Sequence, residues 1–160
     1  MDNFVVGTSS PRRIVNIEAR LKDFLPTDNI KVETKMLRGN VNTRIGKLVS
    51  GDYDAIVLAL PGIERLAHSE KSLKELEVLL KDLNYMILPQ SELPSAASQG
   101  ALAIECNEEN TELLKKLKLI EDKDTVSEVS RERSAFASYG GGCHLAVGIN
   151  VRKSGNEYLH

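Results

Sequence analysis

The first 66 residues repeat one plan three times: an apolar strand, a polar turn and an amphipathic helix. Strands are predicted at 4–6, 31–37 and 54–60, and helices are predicted over 11–24, 41–48 and 61–66. The helices are indicated by apolar residues three or four positions apart, and parallel strands need a crossover of this kind. The pattern therefore predicts an α/β fold, with the almost wholly apolar 54–60 as a central strand covered on both faces.

Beyond residue 66 the alternation is less regular. A charged amphipathic helix is predicted over 70–83, and the Pro- and Ser-rich segment 89–100 indicates a linker. Further strands are predicted at 85–88, 101–106 and 147–151, helices over 111–117 and 125–138, and a hairpin turn at 154–156. We expect the strand at 101–106 to bury Cys106, and the helix over 125–138 to bury Val126, Val129 and Phe136 while exposing Arg131 and Arg133.

Composition limits the classes of protein to which this chain can belong. Of its 160 residues, 41% are hydrophobic and 28% are charged, as in soluble globular domains, and a net charge of -2 gives no general attraction for nucleic acid. No apolar run could span a bilayer and the first residues lack a secretory signal, so we expect a cytoplasmic location and no membrane partner. Cys106 and Cys143 share no metal-ligand spacing, so we expect neither a metal site nor a disulfide framework.

The junction between the first strand and its helix has the features of an anion site. Its sequence is Gly7-Thr8-Ser9-Ser10-Pro11-Arg12-Arg13, in which Ser10 suits the helix N-cap and Pro11 the first helical position. Backbone N–H groups, three hydroxyls and two guanidinium groups could converge there on a carboxylate or phosphate. The alternative interpretation is an ordinary capped helix whose arginines face water.

A second junction carries further arginines. Arg38, Gly39 and Arg44 lie where the strand 31–37 leads into its helix, and Arg65 follows the third strand. Because ligands bind at the carboxyl ends of strands in a parallel sheet, we expect these arginines to converge with Arg12 and Arg13 on one edge.

A glycine-flanked thiol is the most distinctive feature of the carboxyl-terminal part. Cys143 lies within Gly140-Gly141-Gly142-Cys143-His144-Leu145-Ala146-Val147-Gly148, where the backbone has little side-chain cover. Glycine allows a bulky group to approach the main chain closely, which makes Cys143 a candidate attachment point for a ligand. The alternative is that the glycines end a helix and the cysteine packs as a small apolar residue.

Five motifs in register give the chain a resemblance to a known family. They are Val6 to Arg13, Leu37-Arg38-Gly39-Asn40-Val41-Asn42-Thr43-Arg44, Tyr53 to Ala59, Gln99-Gly100-Ala101-Leu102-Ala103-Ile104-Glu105-Cys106 and Gly141-Gly142-Cys143. In order and rough separation they resemble porphobilinogen deaminase, also called hydroxymethylbilane synthase. The resemblance covers nearly the whole chain.

The resemblance implies a fold and a division into domains. Residues 1–93 would be domain two of a periplasmic-binding-protein-like two-lobed fold, with βα units and a mixed sheet covered by helices on both faces. Residues 94–121 would contain a hinge and the segment that returns to domain one, and residues 122–160 would begin a small α+β third domain. The chain would then correspond to a fragment that lacks most of domain one and the rest of domain three.

The resemblance also implies chemistry. Such enzymes deaminate four porphobilinogen units and join them into hydroxymethylbilane in tetrapyrrole and haem synthesis, primed by a dipyrromethane cofactor on a cysteine that matches Cys143. The acid side chains of the cofactor and of the oligopyrrole intermediates would be bound by Thr8, Ser9, Ser10, Arg12, Arg13, Arg38, Gly39 and Arg44. Gln99 and Gly100 match a hinge near the cofactor.

Several departures from the family pattern bear on these expectations. Ala146 stands where proline is usual and Ser98 where glycine is usual, and no aspartate here matches the catalytic one, which belongs to domain one. We therefore expect that this chain alone does not polymerise porphobilinogen; the resemblance does not imply that Cys143 is loaded in it. The family is usually monomeric, whereas open strand edges here are expected to favour self-association. Two alternatives are a non-catalytic module that binds small anions, and one half of a split enzyme.

Overall fold

A computed structural model describes residues 2–26, 29–140, 145–155 and 157–159 of the protein. The chain divides into two compact units, Met1–Leu93 and Pro94–His160. Within the described residues, no helix combines the length and the apolar character that crossing a bilayer requires.

The first unit contains a parallel sheet of three strands. They are β1 (Asp2–Gly7), β2 (Ile30–Lys35) and β3 (Ala55–Ile56), in the order β2-β1-β3. β1 pairs with β2 along its whole length and with β3 over two residues. The predicted α/β fold with βα units is confirmed, although every pairing described in this sheet is parallel, where a mixed sheet was expected.

Helices connect and follow these strands. They are α1 (Pro11–Arg20), continued by a short 3-10 helix at Leu21–Phe24, α2 (Val41–Val49), α3 (Leu60–Ala67) and α4 (Glu70–Leu80). As predicted, Ser10 caps α1, and its Oγ accepts a hydrogen bond from the backbone N–H of Arg13. Ile17 and Leu21 pack with Val6 of β1 to form the centre of the core, so α1 is held firmly against the sheet.

The predicted central strand at 54–60 is wrong in both length and place. β3 has only two residues and lies at an edge, while β1 is the central strand. The chain turns into α3 at Leu60, with Pro61 in its first turn. Proline has no N–H to donate to a strand ladder but is well tolerated at the start of a helix, so Pro61 favours a helix over continuation of the strand to residue 60.

Two further predicted strands, 85–88 and 101–106, are also wrong. Both segments are described without strand pairing, and most of their apolar side chains are exposed: Tyr85 is 91% exposed and Leu102 94% exposed, although Leu88 packs against the core. Cys106 is half-buried and does not belong to the core. A strand is stable only when a neighbour satisfies its backbone groups, and none of the described strands lies beside these segments.

The second unit combines two helices with a hairpin. Its elements are α5 (Thr111–Leu119), α6 (Lys123–Ser138), β4 (Arg152–Ser154) and β5 (Glu157–Leu159), and β4 pairs with β5 in antiparallel fashion. The predicted hairpin is confirmed at its described residues, while Asn156 of its turn lies outside them. The predicted strand at 147–151 is wrong, because strand pairing begins only at Arg152.

α6 buries a carboxylate where apolar side chains were expected. Glu132 is 6% exposed, whereas Val126 is exposed and Val129 and Phe136 are only half-buried. Oε2 of Glu132 accepts a hydrogen bond from the N–H of Ser98 (2.6 Å), and Oε1 accepts one from the N–H of Val151 (2.9 Å). The helix therefore packs on extended backbone, whose N–H groups need acceptors. Arg131 and Arg133 are exposed, as predicted.

Glu132 should contribute more to the stability of the second unit than any apolar residue of α6. We expect Glu132→Ala to lower the free energy of unfolding by about 3 kcal/mol, because it leaves two buried N–H groups without acceptors. Urea unfolding followed by circular dichroism measures the change. Glu128→Ala is the matched control: Glu128 accepts one bond, from the N–H of Lys153 (2.8 Å) at the surface, and its loss should cost less than about 1 kcal/mol. Equal losses in the two variants would contradict this account.

Ser98 adopts a backbone conformation that favours glycine, the residue that the resemblance leads us to expect at this position. Its φ is +64°, and its Oγ accepts a hydrogen bond from Nε of Arg133 (3.1 Å). Ser98→Gly and Ser98→Ala both remove this bond, but alanine keeps a Cβ in the left-handed region. We expect Ser98→Gly to be the more stable of the two by about 1 kcal/mol in urea unfolding.

Ser134 provides the matched control for Ser98, because it lies in the interior of α6. In a helix interior glycine is less favourable than alanine by about 1 kcal/mol, so the order of the two variants should reverse. The same order at both positions would show that the left-handed conformation of Ser98 has no energetic consequence.

Candidate functional site

The carboxyl ends of three parallel strands lie at one edge of the sheet in the first unit. Each strand is followed by a loop that leads into a helix: the first loop (8–10), the second loop (36–40) and the third loop (57–59). Loops at this edge of a parallel sheet lie side by side, and ligands bind there. The sequence-predicted arginines of α1 and α2 belong to these junctions.

The first loop presents two hydroxyl groups as possible donors. Thr8 is only 3% exposed, and its backbone N–H donates to the carbonyl of Lys35 (3.0 Å). Oγ1 of Thr8 accepts a bond from the N–H of Ser10 (3.4 Å), and Oγ of Ser10 accepts one from the N–H of Arg13 (3.5 Å). Both oxygens act as acceptors in these bonds, so each hydroxyl proton can still be donated to a ligand.

Three guanidinium groups from two helices lie close enough to affect one another. Burial lowers the pKa of Arg13, and the positive charges of Arg12 and Arg44 lower this pKa further. Burial also lowers the pKa of Arg12. Arginine nevertheless stays protonated, so this edge concentrates positive charge that is partly withdrawn from water. Nη1 of Arg13 donates to the carbonyl of Val57 (3.3 Å), and the described residues provide no ion-pair partner for Arg13 or Arg44.

The second loop is shaped by one glycine and fixed by its own helix. Gly39 has a φ of +125°, and a Cβ at this position would lie 2.8 Å from Cγ2 of Thr43, so no side chain fits. Nε of Arg44 donates to the carbonyl of Gly39 (2.7 Å), and Nζ of Lys47 donates to the carbonyl of Arg38 (3.3 Å). The Arg38 side chain is exposed at the same edge.

Two expectations about basic residues at this edge need revision. Sequence analysis missed Lys47, although its position three residues after Arg44 on one helix was an available signal. Arg65 was expected near the site but lies in the last turn of α3, about 8 Å of helix rise from the end of α3 that follows the third loop. The group at the sheet edge is therefore built from α1, α2 and the second loop.

Side chains of two other segments, the first loop and the chain before β3, hold the second loop in place. Oγ of Ser9 donates to the carbonyl of Leu37 (2.5 Å) and accepts from the N–H of the same residue (3.1 Å). The hydroxyl of Tyr53 donates to the carbonyl of Met36 (2.7 Å). A Cβ on Gly7, at the end of β1, would lie 3.0 Å from side-chain atoms of Leu37, Tyr53 and Ile56, which is closer than ordinary van der Waals contact.

The remaining predicted site residues belong to the second unit. Gln99 and Gly100 are exposed in a turn, in which Oε1 of Gln99 accepts from the N–H of Ala96 (3.2 Å) and Gly100 has a φ of +98°. Cys143, with Gly141, Gly142 and His144, lies outside the described residues. Within the parts of the chain that the structure describes, no cluster of His, Cys, Asp or Glu could hold a metal ion.

The chemistry available at the sheet edge is recognition of anions. Guanidinium groups form paired, charge-assisted hydrogen bonds to carboxylates, and partial burial strengthens them. The positive end of the α1 dipole adds to the same potential.

Comparison with known proteins identifies the family to which this chain is similar. Residues 1–115 match the family model described as "Porphobilinogen deaminase, dipyromethane cofactor binding domain". A porphobilinogen deaminase from Streptococcus sanguinis is 40% identical over 154 residues, which cover 96% of this chain and 45% of that protein. One from a Nostoc species is 37% identical over 155 residues, covering 97% of this chain and 42% of its own length.

A third relative comes from an archaeon. The protein named "Probable porphobilinogen deaminase" from Pyrobaculum islandicum is 38% identical over 144 residues, which cover 90% of this chain and 42% of that protein. The chain thus spans less than half the length of the curated relatives it matches. The match to the family model covers well over half of the chain, and the resemblance found in the sequence is confirmed: this chain belongs to the porphobilinogen deaminase family.

Proposed function

We propose that this chain binds the acid side chains of the dipyrromethane cofactor, and of the pyrrole units joined to it, in the hydroxymethylbilane synthase reaction. The observation that carries the proposal is the group of Arg12, Arg13 and Arg44 at one edge of the sheet, partly buried and close enough to lower the pKa of Arg13. Gathering like charges is unfavourable unless an anion offsets the repulsion. A polycarboxylate ligand is therefore the natural occupant.

The residues at this edge fit such a ligand. A dipyrromethane carries an acetate and a propionate on each of its two rings, and each carboxylate can take two parallel hydrogen bonds from one guanidinium. Thr8 and Ser10 retain hydroxyl protons for further bonds, and Arg38 with Gly39 borders the site from the second loop. A neutral ligand would leave the charges of Arg13 and Arg44 without an ion-pair partner among the described residues, which argues for acidic substrates such as porphobilinogen and oligopyrroles.

Cys143 is our candidate for the covalent attachment of the cofactor through a thioether. Support comes from membership of a family with a dipyromethane cofactor binding domain, which this chain matches at residues 1–115, and from the glycines next to Cys143 in the sequence, whose lack of side chains favours close approach of a bulky group. When bound, the cofactor supplies the end to which pyrrole units are joined. The task of this chain's own residues is to hold its acid groups.

The domain arrangement completes the proposal. We infer a cofactor-binding domain at 1–93, a hinge with a returning segment at 94–121 and part of a third domain at 122–160. The positive φ values of Ser98 and Gly100 support a sharp change of chain direction in this region, with Gln99 between them. In the whole enzyme, Gln99 and Gly100 would lie near the cofactor.

The binding proposal predicts that affinity and stability respond differently to loss of Arg13. Arg13→Gln should weaken the binding of a dipyrromethane bearing acetate and propionate side chains by about tenfold or more, because one charge-assisted pair is lost. The melting temperature of the variant should change little, because loss of the hydrogen bond to the carbonyl of Val57 is offset by relief of repulsion from Arg12 and Arg44. Isothermal titration calorimetry and thermal unfolding of the same samples measure the two effects.

Arg20→Gln is the matched control for Arg13→Gln, because Arg20 lies on the same helix but pairs with Asp23 and Glu92. It should leave the affinity for the dipyrromethane unchanged. Equal affinity in the Arg13 variant and the unsubstituted chain would contradict the proposed site.

The attachment proposal predicts a mass increase confined to one cysteine. We expect peptide mapping of the chain, produced in cells that make tetrapyrroles, to locate a dipyrromethane adduct on Cys143. The adduct should persist in Cys106→Ser and disappear in Cys143→Ser. An adduct on Cys106 would contradict the assignment, and binding of dipyrromethane without any adduct would favour a non-catalytic anion-binding module.

A further inference from the structure

We propose that Ser9 is a positioning residue that holds the first and second loops in register, and that it does not itself bind the ligand's carboxylates. The inference rests on the proposed function of the arginine site, and it changes the role expected for Ser9 from the sequence. Among the hydroxyl groups of Thr8, Ser9 and Ser10, that of Ser9 is the one that donates its proton in the hydrogen bonds described above.

The geometry of Ser9 leaves little for a ligand. Its single hydroxyl proton is donated to the carbonyl of Leu37 at 2.5 Å, and its oxygen accepts from the N–H of Leu37 at 3.1 Å. One side-chain atom thus satisfies both backbone groups of a residue that is only 1% exposed. Turning the hydroxyl toward a carboxylate would break the bond to the buried carbonyl, at a cost comparable to the bond gained.

The positions of the two partners explain what this contact controls. Ser9 lies directly before the cap of α1, the helix that carries Arg12 and Arg13, and Leu37 lies directly before Arg38. The contact therefore sets the spacing between the arginines of α1 and those of the second loop and α2. The neighbouring bond from the N–H of Thr8 to the carbonyl of Lys35 is made by backbone alone and does not depend on the side chain at position 9.

The contact between Ser9 and Leu37 opposes electrostatic repulsion between the arginines of the site. Arg44 repels Arg13, and these two residues belong to the helices that begin at the second and first loops. Without a side-chain link, this repulsion would favour separation of the loops whenever no anion is bound. Holding the loops together in advance lowers the free-energy cost of assembling the site around the ligand.

Three variants separate positioning from general stability. We expect Ser9→Ala to weaken binding of the acetate- and propionate-bearing dipyrromethane by about tenfold in titration calorimetry, and Ser9→Thr, which keeps the hydroxyl, to restore affinity to within about twofold. Tyr53→Phe is the matched control. It removes the bond to the carbonyl of Met36, one residue before Leu37, but does not involve the first loop. It should leave the affinity within about twofold of the unsubstituted chain despite a loss of stability toward urea.

A double variant separates positioning from direct contact. If Ser9 acts through the arginines, Ser9→Ala should weaken binding less in an Arg44→Gln background than in the unsubstituted chain, because part of what it positions is already gone. If Ser9 binds a carboxylate directly, the two fold-changes should multiply, which would overturn the inference.

Two results with the single variants would also overturn it. One is an unchanged affinity in Ser9→Ala. The other is a loss of affinity in both Ser9→Ala and Tyr53→Phe that is in proportion to the loss of stability in each variant. Failure of the unsubstituted chain to bind the dipyrromethane would instead reject the proposed function, and the inference with it.

Discussion

Parallel pairing of β1 with both of its neighbours is the constraint on which the candidate site depends. It brings the ends of three strands to one edge, so that residues more than forty positions apart in the chain, such as Arg13 and Val57, come within hydrogen-bonding distance. The core of Val6, Ile17 and Leu21 then fixes α1 against the sheet. The apolar contacts hold the framework, and Arg13 and Arg44 lie at its edge without an ion-pair partner among the described residues.

The arginine group is electrostatically unfavourable in the free protein, and the proposed acidic ligand would offset this cost. Burial and mutual repulsion both lower the pKa of Arg13, and the described residues supply no carboxylate in an ion pair with it. The backbone carbonyls of Val57, Gly39 and Arg38 instead accept hydrogen bonds from the side chains of Arg13, Arg44 and Lys47, respectively. These bonds hold the basic groups in place without cancelling their charge. This is the arrangement expected where specificity for an acidic ligand matters more than stability.

Local patterns in the sequence predicted local structure well. The cap at Ser10, the helices α1 to α6 and the hairpin after Ser154 depend on neighbours a few residues away, which the sequence displays directly. Strands depend on distant partners, so apolar segments such as 85–88, 101–106 and 147–151 were wrongly predicted as strands. The buried Glu132 was missed because its partners, Ser98 and Val151, lie far away along the chain and offer only backbone N–H groups.

The same distinction holds for the site. The arginines were found from the sequence because each follows a predicted strand. The hydrogen bonds of Ser9 to Leu37 and of Tyr53 to Met36 could not be predicted, because they join a side chain to the backbone of a segment that is distant along the chain. Gly7 carries a consequence of its own. Since side-chain atoms of Leu37, Tyr53 and Ile56 would each lie 3.0 Å from a Cβ at this position, transfer of the site with these three residues to another α/β scaffold requires glycine at the end of the first strand or a shift of the three side chains. A designer would therefore transfer this glycine together with the arginines.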